Sequence, residues 1–313
     1  MVREALPGEG GGLSDTLVAD NRMNQNFRLR PTGFNNEKGI STLTWSNIMR
    51  CFSSADNFNC STRRNGVAYF SPTWSGFSGS WGYFEDDIWG AALRYKKDWG
   101  DNWAVAASAG YEKFTDERLN NAGGGLAGMR RDFNEEAGSA AIKHKPSGLF
   151  LYGAWSISDS DDSNAIGIYN GKRPPEFTAW DIQGGIERKL SWFGLNSLGV
   201  TSFWGGFQRN NDGFAEGSSA SNPPGGALGG VPANGFLKAG TFASVPIGTQ
   251  IVGSEVDRWF LALDQGLESA AMHVYFVYQH FDADVSLIDS NRDNVPLSLD
   301  DFDLFYAGGR IYF

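Results

Sequence analysis

The stretch Leu304-Phe305-Tyr306-Ala307-Gly308-Gly309-Arg310-Ile311-Tyr312-Phe313 decides the fold. Read in alternation, it puts Phe305, Ala307, Gly309, Ile311 and Phe313 on one face and Leu304, Tyr306, Gly308, Arg310 and Tyr312 on the other, which is the period of a β-strand. One row is apolar or small, and the other carries a charge between aromatics. Such a division suits a strand with lipid on one side and a wet interior on the other. An aromatic final residue suits a strand that closes a barrel better than a frayed, polar soluble terminus.

Composition agrees with a membrane barrel without requiring one. The 313 residues include 41 glycines, 14% are aromatic and 20% are charged, and the mean hydropathy is -0.34. No apolar run reaches the roughly 18 residues of a helical span. Strands that alternate lipid-facing and lumen-facing side chains average to a hydrophilic sequence, so a barrel stays open where a helical bundle is excluded. The 11 Trp, 10 Tyr and 23 Phe fit interfacial aromatic girdles, and fit a carbohydrate-binding β-protein equally. A net charge of -10 argues against nucleic acid as a partner and favours cations or neutral solutes over anions.

From Asn65 onward the chain falls into about eleven strand-like segments of the length a tilted strand needs to cross a bilayer. They are centred near Val67, Ser80, Leu93, Ala107, Ala140, Tyr152, Gln183, Phe203, Leu261, Phe276 and Tyr306. Short connections with Gly, Asn, Asp, Ser and Pro chemistry lie at Trp74-Ser75-Gly76, Trp99 to Asn102, Pro146-Ser147-Gly148, Gly194 to Ser197 and Gly266 to Ser269. They alternate with long polar ones at Thr115 to Arg131, Asp159 to Glu176, Gln208 to Ser254 and Asp282 to Asp300. A soluble sandwich has no reason to alternate in this way. A transmembrane barrel has short turns on its periplasmic rim and long loops outside.

Residues 1–64 read differently, as a loop-rich segment ahead of a single barrel domain at 65–313, with the glycine run Gly10 to Gly12 and little period-two patterning. Met1 to Gly12 lacks the basic start and apolar core of an export signal. Cys51 and Cys60 either close one small loop in an oxidising compartment or are two unpaired thiols.

The phrase Asn65-Gly66-Val67-Ala68-Tyr69-Phe70-Ser71-Pro72-Thr73-Trp74-Ser75-Gly76-Phe77-Ser78-Gly79-Ser80 resembles the strand, turn and strand in the middle of Gram-negative porins, of the alphaproteobacterial type in particular. Glu85 to Tyr95 and Ala104 to Tyr111 look like the next two strands of that family, and Ala270 to His280 and the Tyr312-Phe313 ending look like the last two. The resemblance covers most of residues 20 to 313. It implies an all-β, antiparallel transmembrane barrel of the 16-stranded type, a homotrimer in the outer membrane, and passive diffusion of small hydrophilic solutes and ions. It also implies that Asp20 to Arg64 is the loop that folds into the lumen, with Asp15, Asp20, Glu37 and Asp56 as candidate constriction acids. Roughly five strands should precede such a loop, so the chain reads as a porin lacking its N-terminal strands.

Strand parity locates a candidate pore lining. Trp89, Ala91, Leu93 and Tyr95 form an apolar row, which turns Arg94 and Lys96 inward; Trp259, Leu261 and Leu263 do the same for Arg258 and Asp264. Met272, Val274, Phe276 and Tyr278 leave His273, Tyr275 and Gln279 inside, and Arg310 joins them from the last strand. A midplane charge facing lipid costs about 2–4 kcal/mol, which supports the same assignment. The expected wall is basic and faces acids on the inserted loop. The alternative is lumen arginines that only pair with their neighbours. Arg188 has outward parity beside a short turn, where it can snorkel, and is left out.

Catalytic signals are weak. His144, His273 and His280 form no helical metal pair, and neither Gly-x-Ser-x-Gly nor a Cys-His pattern occurs. Glu135-Glu136 and Asp161-Asp162 read as solvated acids, with weak calcium binding by loops the only cofactor chemistry considered. No metal site and no enzyme are expected. The competing readings are a structural or adhesive outer-membrane barrel and a secreted β-rich glycan-binding protein.

Overall fold

The computed structural model describes residues 29–32, 45, 48, 65–85, 87–118, 130–160, 176–189, 198–213 and 249–311. Their architecture is one antiparallel sheet: β1 (Gly66–Phe70), β2 (Phe77–Phe84), β3 (Ile88–Trp99), β4 (Trp103–Arg118), β5 (Arg130–His144), β6 (Leu149–Ser160), β7 (Phe177–Lys189), β8 (Val200–Asn211), β9 (Gln250–Leu267), β10 (Met272–Ile288), β11 (Asn294–Val295) and β12 (Phe302–Ile311). Each strand pairs with its successor as far as β11, and β12 returns to pair with β10. Among the described residues β1 and β12 form the two edges. The class is all-β, and each of the eleven expected segments is a strand. The two-residue β11, which pairs with the far end of β10, was not foreseen.

Strand lengths differ from expectation at the long-loop end. β4 runs to Arg118 and β5 starts at Arg130, inside the stretch read as a loop; Gln208 lies within β8 and Ser254 within β9; β10 continues to Ile288. The cause is visible in β10, whose Ala283, Val285 and Leu287 continue a buried row past Asp282 and Asp284, so the ladder with β9 persists beyond the point where polar residues suggest it stops. The short ends are built as turns. Gly148 has φ +75°, and an added Cβ there would lie 2.0 Å from the Glu187 carbonyl oxygen, so only glycine fits. The last short connection is a 3-10 turn at Glu268–Ala270, with Gly266 and Leu267 still in β9.

One face of the sheet is buried and the other open, as period-two patterning requires. Against the buried face of β9, β10 and β12 lies part of the N-terminal segment: Leu29, Trp45 and Ile48 cluster with Ile251, Val256, Phe281 and Leu287. The Trp45 ring lies 5.8 Å from Phe281 and 5.9 Å from Phe302. Backbone bonds fasten this segment to the connection before β12, from Thr32 N–H to Ser298 O at 2.9 Å and from Asp300 N–H to Arg30 O at 2.7 Å. Arg30 and Asp300 add an ion pair at 3.3 Å.

Candidate functional site

The open face is apolar in a band edged by aromatics. At the short-turn end stand Trp74, Phe77, Tyr95, Trp99 and Trp103, with Trp99 Nε1 donating to Tyr95 Oη at 2.7 Å and the Phe77 and Tyr95 rings 4.6 Å apart. At the other end Trp89 meets Tyr111 at 5.3 Å, Trp180 meets Phe207 at 5.2 Å and Trp259 meets Tyr278 at 5.1 Å. Between them lie exposed Leu93, Leu151, Ile182, Leu261 and Phe276. Trp89 and Trp99 are separated by about 33 Å along β3, or about 25 Å along a membrane normal at a tilt near 40°, which is the height of the apolar band on a transmembrane barrel; exposed Lys97 interrupts this row among the aromatics of the short-turn edge, where its stem can snorkel. Charge begins just beyond the second aromatic edge, with Glu255, Asp257, Asp282, Asp284 and Asp303. Arg209 holds Asp257 there through Nε at 2.7 Å and Nη2 at 2.5 Å, and reaches Glu255 at 3.1 Å.

Strand register assembles the buried face into levels. One line of cross-strand partners runs Ser78, Arg94, Ser108, Ser139, Ala154, Asp181, Gln208, Arg258, Phe281, Phe302, from β2 to β12. It is polar for most of its length. Arg94 Nη1 donates to Ser80 Oγ at 3.1 Å, the Ser108 and Ser139 hydroxyls meet at 3.1 Å, Gln183 Nε2 donates to Asp181 Oδ2 at 2.8 Å, and the Arg258 guanidinium lies 5.6 Å from the centre of the Phe260 ring. Asp181, Gln208 and Arg258 are 2%, 0% and 1% exposed. Charged groups at that depth persist only with partners or counter-charges, so the line is a strongly polar region in an otherwise apolar setting.

The described residues expected at the pore fall on neighbouring levels of the inner face. Arg94 and Arg258 share the line just described; Lys96 lies on the next line with Gln183 and Gln279. Asp264 Oδ2 and His273 Nδ1 stand 2.7 Å apart on the buried face, and Tyr275 is the register partner of Asp264. Arg310 is opposite His273, at the short-turn end, and is exposed. Asp15, Asp20, Glu37, Asp56, Cys51, Cys60, Tyr312 and Phe313 lie outside the described residues, as do the turn Gly194 to Ser197 and Asp161-Asp162.

The wall is not the basic surface expected. Glu112, Glu135, Asp181, Glu187 and Asp264 have the same inward parity as the arginines, and Glu187 pairs with Lys143. Glu135 in particular is a buried residue within β5, not a solvated acid, because Glu136 takes the open side of the strand. Asp181 and Gln208 were missed although parity could have found them: Trp180 and Ile182 are apolar, so Asp181 between them must turn inward. Among the described residues no group of three or more His, Cys, Asp or Glu side chains is arranged to hold a metal ion.

No protein-family model matches the chain, and no curated protein does. Among solved structures, the sheet is similar to in-vitro folded OmpT, an outer membrane protein of Vibrio cholerae, with a TM-score of 0.43 and 14% identity over 92% of this chain and 75% of that one. It is also similar to outer-membrane expressed OmpT of Vibrio cholerae, with a TM-score of 0.40 and 14% identity over 78% of this chain and 63% of that one. Acinetobacter baumannii OccAB3 gives a TM-score of 0.40 and 8% identity over 78% of this chain and 54% of that one.

Proposed function

We propose that the protein is an outer-membrane porin, a water-filled channel for passive diffusion of small hydrophilic solutes and ions. The observation that carries the reading is the contrast between the two faces. An apolar band about 25 Å tall, edged with aromatics, backs onto a line on which Arg94, Asp181 and Arg258 recur across successive strands. The open face lies in lipid. The charges of the other face set selectivity by a transverse field, and no covalent chemistry or cofactor enters. The family resemblance supports a homotrimer and a barrel of the 16-stranded type, to which the described residues contribute twelve strands, β1 and β11 being short.

The test is conductance across a planar bilayer. Stepwise, long-lived, ohmic openings support the channel, and a silent bilayer overturns it. One observation favours the second reading, a structural or adhesive barrel with a filled interior: Leu29, Trp45 and Ile48 are buried against the inner face of β9 and β10. A silent bilayer with an intact, heat-resistant barrel selects that reading.

A further inference from the structure

Of the three histidines, His273 alone has inward parity. His144 and His280 take the open face, where their rings lie 4.7 Å from Trp103 and 5.4 Å from Trp259. The placement of His273 has a local origin. It is the second residue of β10, and Met272, Val274 and Phe276 take the lipid side, which turns the imidazole inward at the short-turn end. Its register partner on β9 is Gly266, where an added Cβ would lie 3.5 Å from His273 Cε1. The ring therefore passes over a residue without a side chain, and its Nδ1 comes within 2.7 Å of the Oδ2 of Asp264, two positions along β9.

Asp264 is nearly enclosed, with 2% of its side chain exposed, whereas His273 keeps 18% and Arg310, its register partner on β12, is exposed. The accessible part of this group is thus the imidazole and the guanidinium. Further along the wall, Glu187 of β7 is opposite Ser202 of β8, which is opposite Asp264, and Glu187 is close enough to interact with the Asp264 charge. Glu187 is paired with Lys143 of β5. At the rim Lys189 and Glu268 pair at 2.5 Å, and Tyr275 is the next inward residue of β10. The fixed charges around His273 therefore cancel: Lys143 against Glu187, Lys189 against Glu268, and Arg310 against Asp264.

We propose that His273, positioned by Asp264, is a specificity-determining residue of the channel, whose protonation adds one uncompensated positive charge at the short-turn mouth and turns the channel toward anions in mild acid. The inference rests on the porin reading above. Histidine is the side chain whose charge ordinarily changes between pH 5 and 8, so the balance of this wall turns on one imidazole. A proton needs no cavity to reach it. A charge at the mouth of a channel acts on passing ions strongly, because low-dielectric walls focus its field. At about 10 Å from an ion it is worth about a twofold change in relative permeability.

Reversal potentials in a potassium chloride gradient across a planar bilayer, recorded from pH 8 to pH 5.5, test this. The ratio of anion to cation permeability rises about twofold over that interval in the unaltered protein. His273→Gln removes the step and holds the alkaline ratio throughout, while His144→Gln and His280→Gln, on the lipid side, keep the step. Asp264→Asn leaves Arg310 unbalanced and raises the ratio already at pH 8. A conducting channel with no step, a step that survives in His273→Gln, or a ratio at pH 8 unmoved by Asp264→Asn overturns the proposal and leaves the porin standing. NMR of ring-labelled histidine in the detergent-solubilised protein follows the charge without conduction: the signal lost in His273→Gln titrates between pH 5.5 and 8, and a constant signal overturns the proposal whatever the bilayer shows. A silent bilayer overturns the channel reading, and the selectivity role with it.

Discussion

Asp181 on β7 and Arg258 on β9 flank Gln208 of β8 on one register line, two strands and about 10 Å apart, with all three side chains buried. Opposite charges fixed at that separation in the wall produce a field across whatever lies in front of them. A unit charge about 10 Å from an ion is worth about 0.4 kcal/mol in a water-like medium, about a twofold change in relative permeability. Asp181→Asn therefore shifts reversal potentials in a salt gradient toward anions, and Arg258→Met toward cations. Shifts of the same sign in both variants would remove these residues from the permeation path.

The open face sets a different expectation. Leu261 lies within the apolar band, 47% exposed. Leu261→Arg should cost about 2–4 kcal/mol in lipid, whereas Asp284→Arg, beyond the aromatic edge, should cost about 0–1 kcal/mol. Urea unfolding in lipid vesicles measures both. Equal costs would mean that the band does not face lipid.

Glycine surroundings give a third comparison, with Gly185 on the inner face and Gly153 on the open one. A Cβ on Gly185 would lie 2.4 Å from both the Phe203 carbonyl oxygen and Trp204 Cβ, a backbone and near-backbone clash with no easy relief. One on Gly153 would meet only the Asp181 carbonyl oxygen, at 3.7 Å. Gly185→Ala should destabilise by about 1–3 kcal/mol and Gly153→Ala should be close to neutral, read from the same unfolding curves.

Asp212, just past the end of β8, has φ +57° and accepts the Ser254 N–H at 2.9 Å. Burial raises its carboxyl above the usual range, and the Ser254 bond only partly offsets this. A raised folded-state pKa means that protonation favours the folded form: the contribution is complete below the ordinary carboxylate range and is lost as pH rises through the raised value. Asp212→Asn keeps the acceptor and tolerates the left-handed backbone. The protection factor of the Ser254 amide should rise in this variant at neutral pH and stay constant across that window. An unchanged profile would place the titration elsewhere.

Trp45 tests what the inner segment does. It is 3% exposed between Phe281 and Phe302, so Trp45→Ala should cost about 3–5 kcal/mol. In the channel reading it also raises single-channel conductance, because Leu29, Trp45 and Ile48 pack on the inner face of β9 and β10. A destabilised barrel with unchanged conductance would mean that this segment lies off the solute path.

Alternation alone carried the sequence a long way. Trp259, Leu261 and Leu263 define an outward row, and with it the face on which Arg258 and Asp264 must lie, because successive side chains of an extended chain point to opposite sides whatever it pairs with. Connection chemistry placed the short turns for the same local reason. Where the ladders stop was not legible, since continued pairing of β9 with β10 past Asp282 depends on Val285 and Leu287 finding a covered face.

What the sequence determined is therefore the strand, its face and its order, all of which follow from backbone geometry within about ten residues. What only the tertiary structure decided is level. Asp181, Gln208 and Arg258 stand in separate segments, and the lengths of the intervening connections do not say how far each strand slides before it pairs. Interstrand hydrogen bonding fixes that slide in steps of two residues wherever one face is buried. Register turned a tally of inward arginines into one mixed line of charge that no single strand shows.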